Sequence, residues 1–210
     1  MSGGAGFQDV PTTTLGDLLN REHFMDIGIR PLWGTGADTP RLVGPAYPVR
    51  CTKNDNLALH AAIYRAEPGS VIVVESGDLE YALAGGNVCA IAQRRGVAGF
   101  VLDGLVRDIG EVRELGFPVY GRGVIPKPGG KSEAAPFGRP ANCGGVTVHP
   151  GDVIVADEDG VAVVPAARAE KVLVDAGARL AKEAAETLDE WEAVHRARVE
   201  KLLAERGFAD

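Results

Sequence analysis

The chain has 210 residues, a mass of 22.0 kDa and a formal net charge of −7. That length suits one globular domain with at most an appendage. The acidic balance argues against non-specific nucleic-acid binding, which needs a basic surface. There is no apolar run of membrane-spanning length and no basic flank at the N-terminus, so neither a membrane span nor a signal peptide is expected, and a cytoplasmic protein is the default.

Glycine (28) and proline (13) make up about a fifth of the chain, which favours a turn-rich β or α/β fold over a helical bundle. Cys51, Cys89 and Cys143 are far apart with no CxxC pair, so neither a disulfide framework nor a cysteine zinc site is expected.

Residues 1–11 are Gly-rich and read as a flexible N-terminus. Thr12, Thr13 and Thr14 precede leucines and suit a short capped helix. Residues 42–49 can form a strand, which Pro45 and Pro48 push toward an edge or a bulge. Asn54, Asp55 and Asn56 cap a helical pattern over 57–65. Residues 70–75 and 99–102 are continuous apolar runs and predict buried strands. A helix is expected over 88–95, another over 109–115, and a short strand over 117–121. Residues 120–144 are rich in Gly, Pro and basic side chains, with little periodicity, and read as a long functional loop or irregular β segment. Three strands follow at 145–148, 152–156 and 160–164, separated by turn sequences.

Beyond Pro165, residues 166–210 predict one long helix or two. Leu180, Ala184, Leu188, Trp191, His195 and Leu202 form a stripe at helical spacing. Such a face needs a surface to lie on, and a neighbouring subunit is the natural one. The order of elements gives an α/β fold: a domain over 12–165, parallel in its early units and antiparallel later, with a C-terminal helical extension.

Several motifs fail. Gly129-Gly130-Lys131-Ser132 resembles the end of a phosphate-binding loop, but the first glycine should fall at 125, which is Ile. Asp157-Glu158-Asp159-Gly160 resembles the start of a calcium loop, but its twelfth position is Arg168 where Glu is needed, so it reads as a hairpin turn. No GxGxxG follows a strand. His60 reads as a packed or surface histidine.

One constellation carries chemistry. Gly85-Gly86-Asn87 opens a helix, where free backbone N–H groups and the helix dipole favour an anion. Arg107 and Asp108 follow 21 and 22 residues after Gly86, and then Glu111. A fork-shaped Arg suits a carboxylate. Asp108 can anchor Mg²⁺, which keeps several waters and needs few protein ligands. Together they suit a 2-oxo acid whose carboxylate meets Arg107 and the amides, with its keto oxygen and carboxylate on the metal. The competing reading is a surface ion pair that caps the next helix.

The pattern Gly86-x20-Arg107-Asp108-x2-Glu111 resembles the signature of the RraA-like proteins, which include the metal-dependent 4-hydroxy-4-methyl-2-oxoglutarate and 4-carboxy-4-hydroxy-2-oxoadipate aldolases. Residues 42–46, 87–92, 99–104 and 144–161 agree with that family. The resemblance implies a swivelling β/β/α-type domain, assembled as a homotrimer or hexamer with sites between subunits. It places the substrate loop on Gly85, Gly86, Asn87 and Val88, the substrate-carboxylate ligand on Arg107 and the metal ligand on Asp108. It further implies an acidic residue from a neighbour's C-terminal helix near metal-bound water, best matched by Glu183.

The aldolases carry Asp where this chain has Gly86, and Glu111 is the candidate substitute acid/base. The function so implied is a Mg²⁺- or Mn²⁺-dependent lyase working through a pyruvate enolate. Oxaloacetate decarboxylation should survive loss of the Asp more easily than retro-aldol cleavage, and Gly86→Asp is expected to favour the aldol reaction. The alternative is a regulator that binds ribonuclease E without catalysis. A menaquinone methyltransferase is disfavoured by the missing cofactor loop.

Overall fold

The computed structural model describes residue 4 and residues 6–34, 41–133 and 136–208. The strands are β1 (Arg30–Pro31), β2 (Leu42–Arg50), β3 (Val71–Glu75), β4 (Ala82–Ala84), β5 (Gly99–Asp103), β6 (Leu105–Val106), β7 (Val119–Gly121), β8 (Gly123–Val124), β9 (Ala141–Cys143), β10 (Val146–Val148), β11 (Val153–Asp157) and β12 (Gly160–Val164). The helices are α1 (Thr12–Gly16), α2 (Leu57–Ala62), α3 (Gly86–Arg94), α4 (Ile109–Leu115), α5 (Ala169–Ala185) and α6 (Leu188–Glu205).

The main sheet runs β1-β7-β5-β3-β2-β11-β12. Strands β2, β3, β5 and β7 pair in parallel, while β11 and β12 form an antiparallel hairpin on β2. Side chains alternate across this sheet, as strand geometry requires. Ile72, Val74, Phe100 and Leu102 pack on the α2–α3–α4 side, where Phe117 meets Phe100 edge to face. Val71, Val73 and Val101 pack on the opposite side with the β9–β10 hairpin. A third cluster lies where Phe7, Val10, Leu15, Val172 and Ala176 cover the β11–β12 hairpin. The chain is therefore a single α/β domain.

Two expectations are corrected. Strand β2 is central, although it carries Pro45 and Pro48. Its N–H groups alternate sides: Ala46 N–H donates toward β11, to Asp152 O, and Cys51 N–H donates toward β3, to Glu75 O. Pro45 therefore faces the β3 side one residue before the β3 ladder begins at Ala46, and Pro48 faces the β11 side after the β11 ladder has ended at Pro45. Neither ring removes a ladder bond, so the usual bar against central proline does not apply. Within the N-terminal segment expected to be flexible, Phe7 and Val10 are instead buried in the third cluster.

The C-terminal extension is two helices. Glu186 is extended (ψ 129°), and Thr187 opens α6 with a capping box in which Thr187 and Glu190 satisfy each other's backbone N–H groups.

Candidate active site

A second, three-stranded parallel sheet, β4-β6-β8, builds the site. Ala84 at the end of β4 leads into Gly85, the N-cap of α3. Val106 at the end of β6 leads into Arg107 and into Asp108, the N-cap of α4. Two parallel strands thus deliver two helix N-termini side by side, at the carboxyl edge where α/β proteins bind ligands. The Arg107 N–H donates to Ala84 O over 2.9 Å and fixes the two turns against each other.

Gly85, Asn87, Val88, Arg107 and Asp108 line one small pocket of about 70 Å³. Gly86 N–H donates to Asp108 Oδ2 over 3.2 Å, and Arg107 Nε lies 3.4 Å from the same oxygen. The first turn of α3 leaves further backbone donors without acceptors inside the helix. A side chain at Gly85 would run into the Asp108 carboxylate, and one at Gly86 would overlap the Glu111 carboxylate. The two glycines thus let Asp108 and Glu111 crowd the start of α3. Glu183 is not part of this pocket. It lies exposed on α5, paired with Arg179 over 2.9 Å, while α5 itself packs on the third cluster.

Asp108 has left-handed backbone angles (φ 54°, ψ 39°) and its side chain makes no capping hydrogen bond. Asp tolerates this region better than most residues, at a cost of roughly 1 kcal/mol. Its carboxylate is thereby aimed across the pocket rather than back at its own helix.

The opposite wall comes from residues that the sequence reading left aside. Asn56, His60, Pro128 and Lys131 line the same pocket. The segment around Gly130 is stitched in place: Gly130 N–H donates to Asn54 O over 2.7 Å, and Asn56 N–H donates to Gly130 O over 2.9 Å. Asp55, itself buried, accepts from the backbone N–H groups of Leu57, Ser132 and Glu133. Burial alone would raise the Asp55 pKa, but these donors and the Lys131 charge hold it below the usual carboxylate range. The phosphate-loop look-alike is therefore an ordered strap that brings Lys131 to the pocket.

Two buried polar atoms here, Asn56 Oδ1 and His60 Nε2, have no hydrogen-bond partner among the described residues. Burial, then the Lys131 charge, lowers the His60 pKa, while the nearby Leu83 backbone and the Asp55 charge act against it. Cys89, beneath the same turn, is no nucleophile, because burial, reinforced by the Asp108 charge, pushes its thiol up to about 12.

Among the described residues no three His, Cys, Asp or Glu side chains converge as a metal cage. The donor set that exists is two carboxylates, Asp108 and Glu111, on either side of Gly86. It fits a hard, largely hydrated divalent cation such as Mg²⁺ or Mn²⁺ and does not fit a closed zinc site.

The chain belongs to the RraA-like family (Aldolase/RraA), which matches residues 12–163. A relative from Halalkalibacterium halodurans, provisionally named a 4-hydroxy-4-methyl-2-oxoglutarate aldolase, is 37% identical over 97% of this chain and 92% of its own length. A provisional aldolase of the same name from Deinococcus radiodurans is 34% identical, covering 75% of this chain and 96% of that protein. The fold matches Streptomyces coelicolor RraAS2, described as an unusual member of the RNase ES inhibitor RraA family, with a TM-score of 0.72 and 30% identity over 92% of this chain and 96% of that one.

Proposed function

We propose that the protein is a divalent-metal-dependent carbon–carbon lyase acting on small 2-oxo diacids. Its reactions would be oxaloacetate decarboxylation, retro-aldol cleavage of 4-hydroxy-2-oxo diacids, or both. The observation that carries this reading is the pairing of Arg107 and Asp108 at the start of α3, facing unpartnered polar atoms of Asn56 and His60 across one pocket. The provisional aldolase names of the relatives point to the same chemistry.

Asp108 would hold the cation, with Glu111 beside it, and the bound cation would polarise the substrate's 2-oxo group. Arg107 and the α3 amides bind the carboxylate next to that group and fix the molecule's orientation. As the C3–C4 bond breaks, negative charge grows on the oxygen of the 2-oxo group, and the Arg107 and Lys131 charges stabilise it. His60, neutral near pH 7, can hold a water or the distal end of the substrate through Nε2. Decarboxylation needs no base at C4, whereas aldol cleavage must take the 4-hydroxyl proton, for which Glu111, whose carboxylate fills the space a side chain at Gly86 would take, is the candidate.

Assembly as a homotrimer or hexamer would bring Glu183 from a neighbour toward the metal's waters. No helix among the described residues is long and apolar enough to cross a membrane.

The test is pyruvate release from oxaloacetate and from branched 4-hydroxy-2-oxo diacids, with Mg²⁺, with Mn²⁺ and with chelator. Metal-dependent turnover that falls in Arg107→Ala supports the lyase. No turnover, together with direct binding to ribonuclease E, would favour the regulator reading suggested by the inhibitor relatives.

A further inference from the structure

The ends of α2 and α3 that lie away from the pocket meet at the amino edge of the main sheet, where β3 and β5 begin. Gly69 N–H donates to Gly96 O over 2.7 Å, which sets the α2–β3 and α3–β5 turns side by side. Helix α3 starts at the pocket with Gly86 and ends at Arg94, so this edge lies about 12 Å from the pocket along the helix. Four exposed arginines gather here. Arg94 and Arg95 close α3, Arg65 follows α2, and Arg139 belongs to the segment that lays Phe137 beside Arg65.

Basic residues at helix C-termini are ordinary, since they offset the helix dipole. These arginines are set apart by how they are held. Arg65 donates through Nη1 to Ala61 O over 3.0 Å, and its guanidinium lies 4.8 Å over the Phe137 ring. Arg95 donates through Nε to Ile63 O over 3.0 Å, and its guanidinium lies 5.2 Å over the Tyr64 ring. Each of these hydrogen bonds commits one of five N–H donors and neutralises no charge. Among the described residues none of the four arginines forms an ion pair, although such pairs hold Arg50, Arg122 and Arg179 elsewhere. Residues 64–69, 93–97 and 136–140 set the four arginines against a single carboxylate, Glu67. A chain of net charge −7 thus carries one uncompensated positive face. Two of its guanidinium forks are already oriented, so they lose less freedom on binding an anion.

Such forks match carboxylates or phosphates. Two features favour the carboxylates of a short peptide over a nucleic acid. A single strand of nucleic acid stacks its bases on open rings. Here both rings already carry a guanidinium of this chain. A long polyanion would also run past the patch, over a surface whose overall balance is acidic. A short acidic segment stays within the patch, where charges act over about 8 Å at physiological salt.

We propose that the face carrying Arg65, Arg94, Arg95 and Arg139 is a docking surface for a short acidic peptide segment of another protein, separate from the pocket at the start of α3.

Fluorescence anisotropy of a labelled peptide of alternating Glu and Ser, at low and at physiological salt, tests it. Binding should be measurable at low salt and weaken as salt rises. It should fall about fivefold in Arg65→Gln/Arg95→Gln, as expected for the loss of two exposed charge pairs. Arg94→Gln/Arg139→Gln leaves both anchored side chains in place, so it separates docking from any effect on folding, and it should weaken binding as well. Arg196→Gln/Arg198→Gln removes the same charge from α6 and should leave the affinity unchanged. No binding at low salt, an unchanged affinity in either variant of the face, or an equal loss in the α6 variant overturns the proposal. So does tighter binding of a single-stranded oligouridylate of equal charge, which would assign the face to nucleic acid.

Discussion

Placing Asp at position 86 sets the two carboxylates of the site against each other. Gly86 opens α3 with helical, not left-handed, backbone, so the chain itself accepts a side chain there. The obstacle is Glu111: a Cβ on residue 86 would overlap its Oε2 and stand 2.9 Å from its Cδ and 3.0 Å from its Cβ. Relief requires the whole Glu111 side chain to swing out, and overpacking of this kind costs about 1–3 kcal/mol. The result would be three carboxylates, at 86, 108 and 111, around one helix start. Gly86→Asp alone should therefore lower both activities, contrary to the gain expected from sequence. In Gly86→Asp/Glu111→Ala the clash is gone, and the retro-aldol kcat/KM should recover. A coupling of about 1–2 kcal/mol between the two positions corresponds to roughly 5- to 30-fold in that ratio. The assay is the kcat/KM for oxaloacetate decarboxylation and for aldol cleavage in the wild type, the two single variants and the double variant, with thermal melts of each. Additive effects across the four proteins would refute the reasoning, because they would mean that the two carboxylates do not compete for one space.

Arg107→Ala should raise KM strongly and reduce kcat/KM by about 2–4 kcal/mol, with Arg107→Lys only partly restoring it; near-normal kinetics would leave Arg107 as a helix cap. Asp108→Gly should abolish metal-dependent turnover while changing thermal stability by no more than about 1 kcal/mol, since glycine relieves the left-handed backbone while the hydrogen bond from Gly86 N–H to the Asp108 carboxylate is lost. Chelator should remove activity reversibly, with Mg²⁺ or Mn²⁺ restoring it, and full turnover by metal-stripped protein would sink the proposed chemistry. The lowered His60 pKa means that the folded state resists protonation there. Stability should be full above the ordinary imidazole pKa near 6.5 and fall as pH drops through the lowered folded value, a slope that His60→Gln should flatten in urea titrations between about pH 8 and 5.

The long apolar runs were legible as strands because a strand buried on both faces has a near-continuous hydrophobic sequence, as in Val71–Glu75 and Gly99–Asp103. Helix α4 was legible to the residue, ending at Gly116, which adopts the left-handed angles (φ 64°) that stop a helix. The small sheet that builds the site was not. Strands β4, β6 and β8 have three, two and two residues, too short for any periodicity to register. Central β2 was misread for a related reason, since where its proline nitrogens point depends on where each neighbouring ladder starts and stops.

The same distinction explains which half of the pocket could be seen in advance. Gly86, Arg107, Asp108 and Glu111 belong to two strand-to-helix turns, and a turn of that kind leaves a local mark: small residues, then a charge, then a helix. Lys131 meets His60 and Asn56 of the α2 start through Asp55, which ties the backbone at Ser132 and Glu133 to that start, about 77 residues away in the chain. No spacing rule encodes that tether. Its visible trace was the odd run Gly129-Gly130-Lys131-Ser132, in which Gly130 leaves room for the strap to lie against Asn54, where a Cβ would meet the Asn54 carbonyl at 3.0 Å. In the structure that run is an ordered strap that carries Lys131 to the pocket. Arg107 and Lys131 line the same pocket, so on the proposed reading they would hold the substrate anion together, and neutralising either charge should weaken its binding, while only the forked Arg107 would fix its orientation.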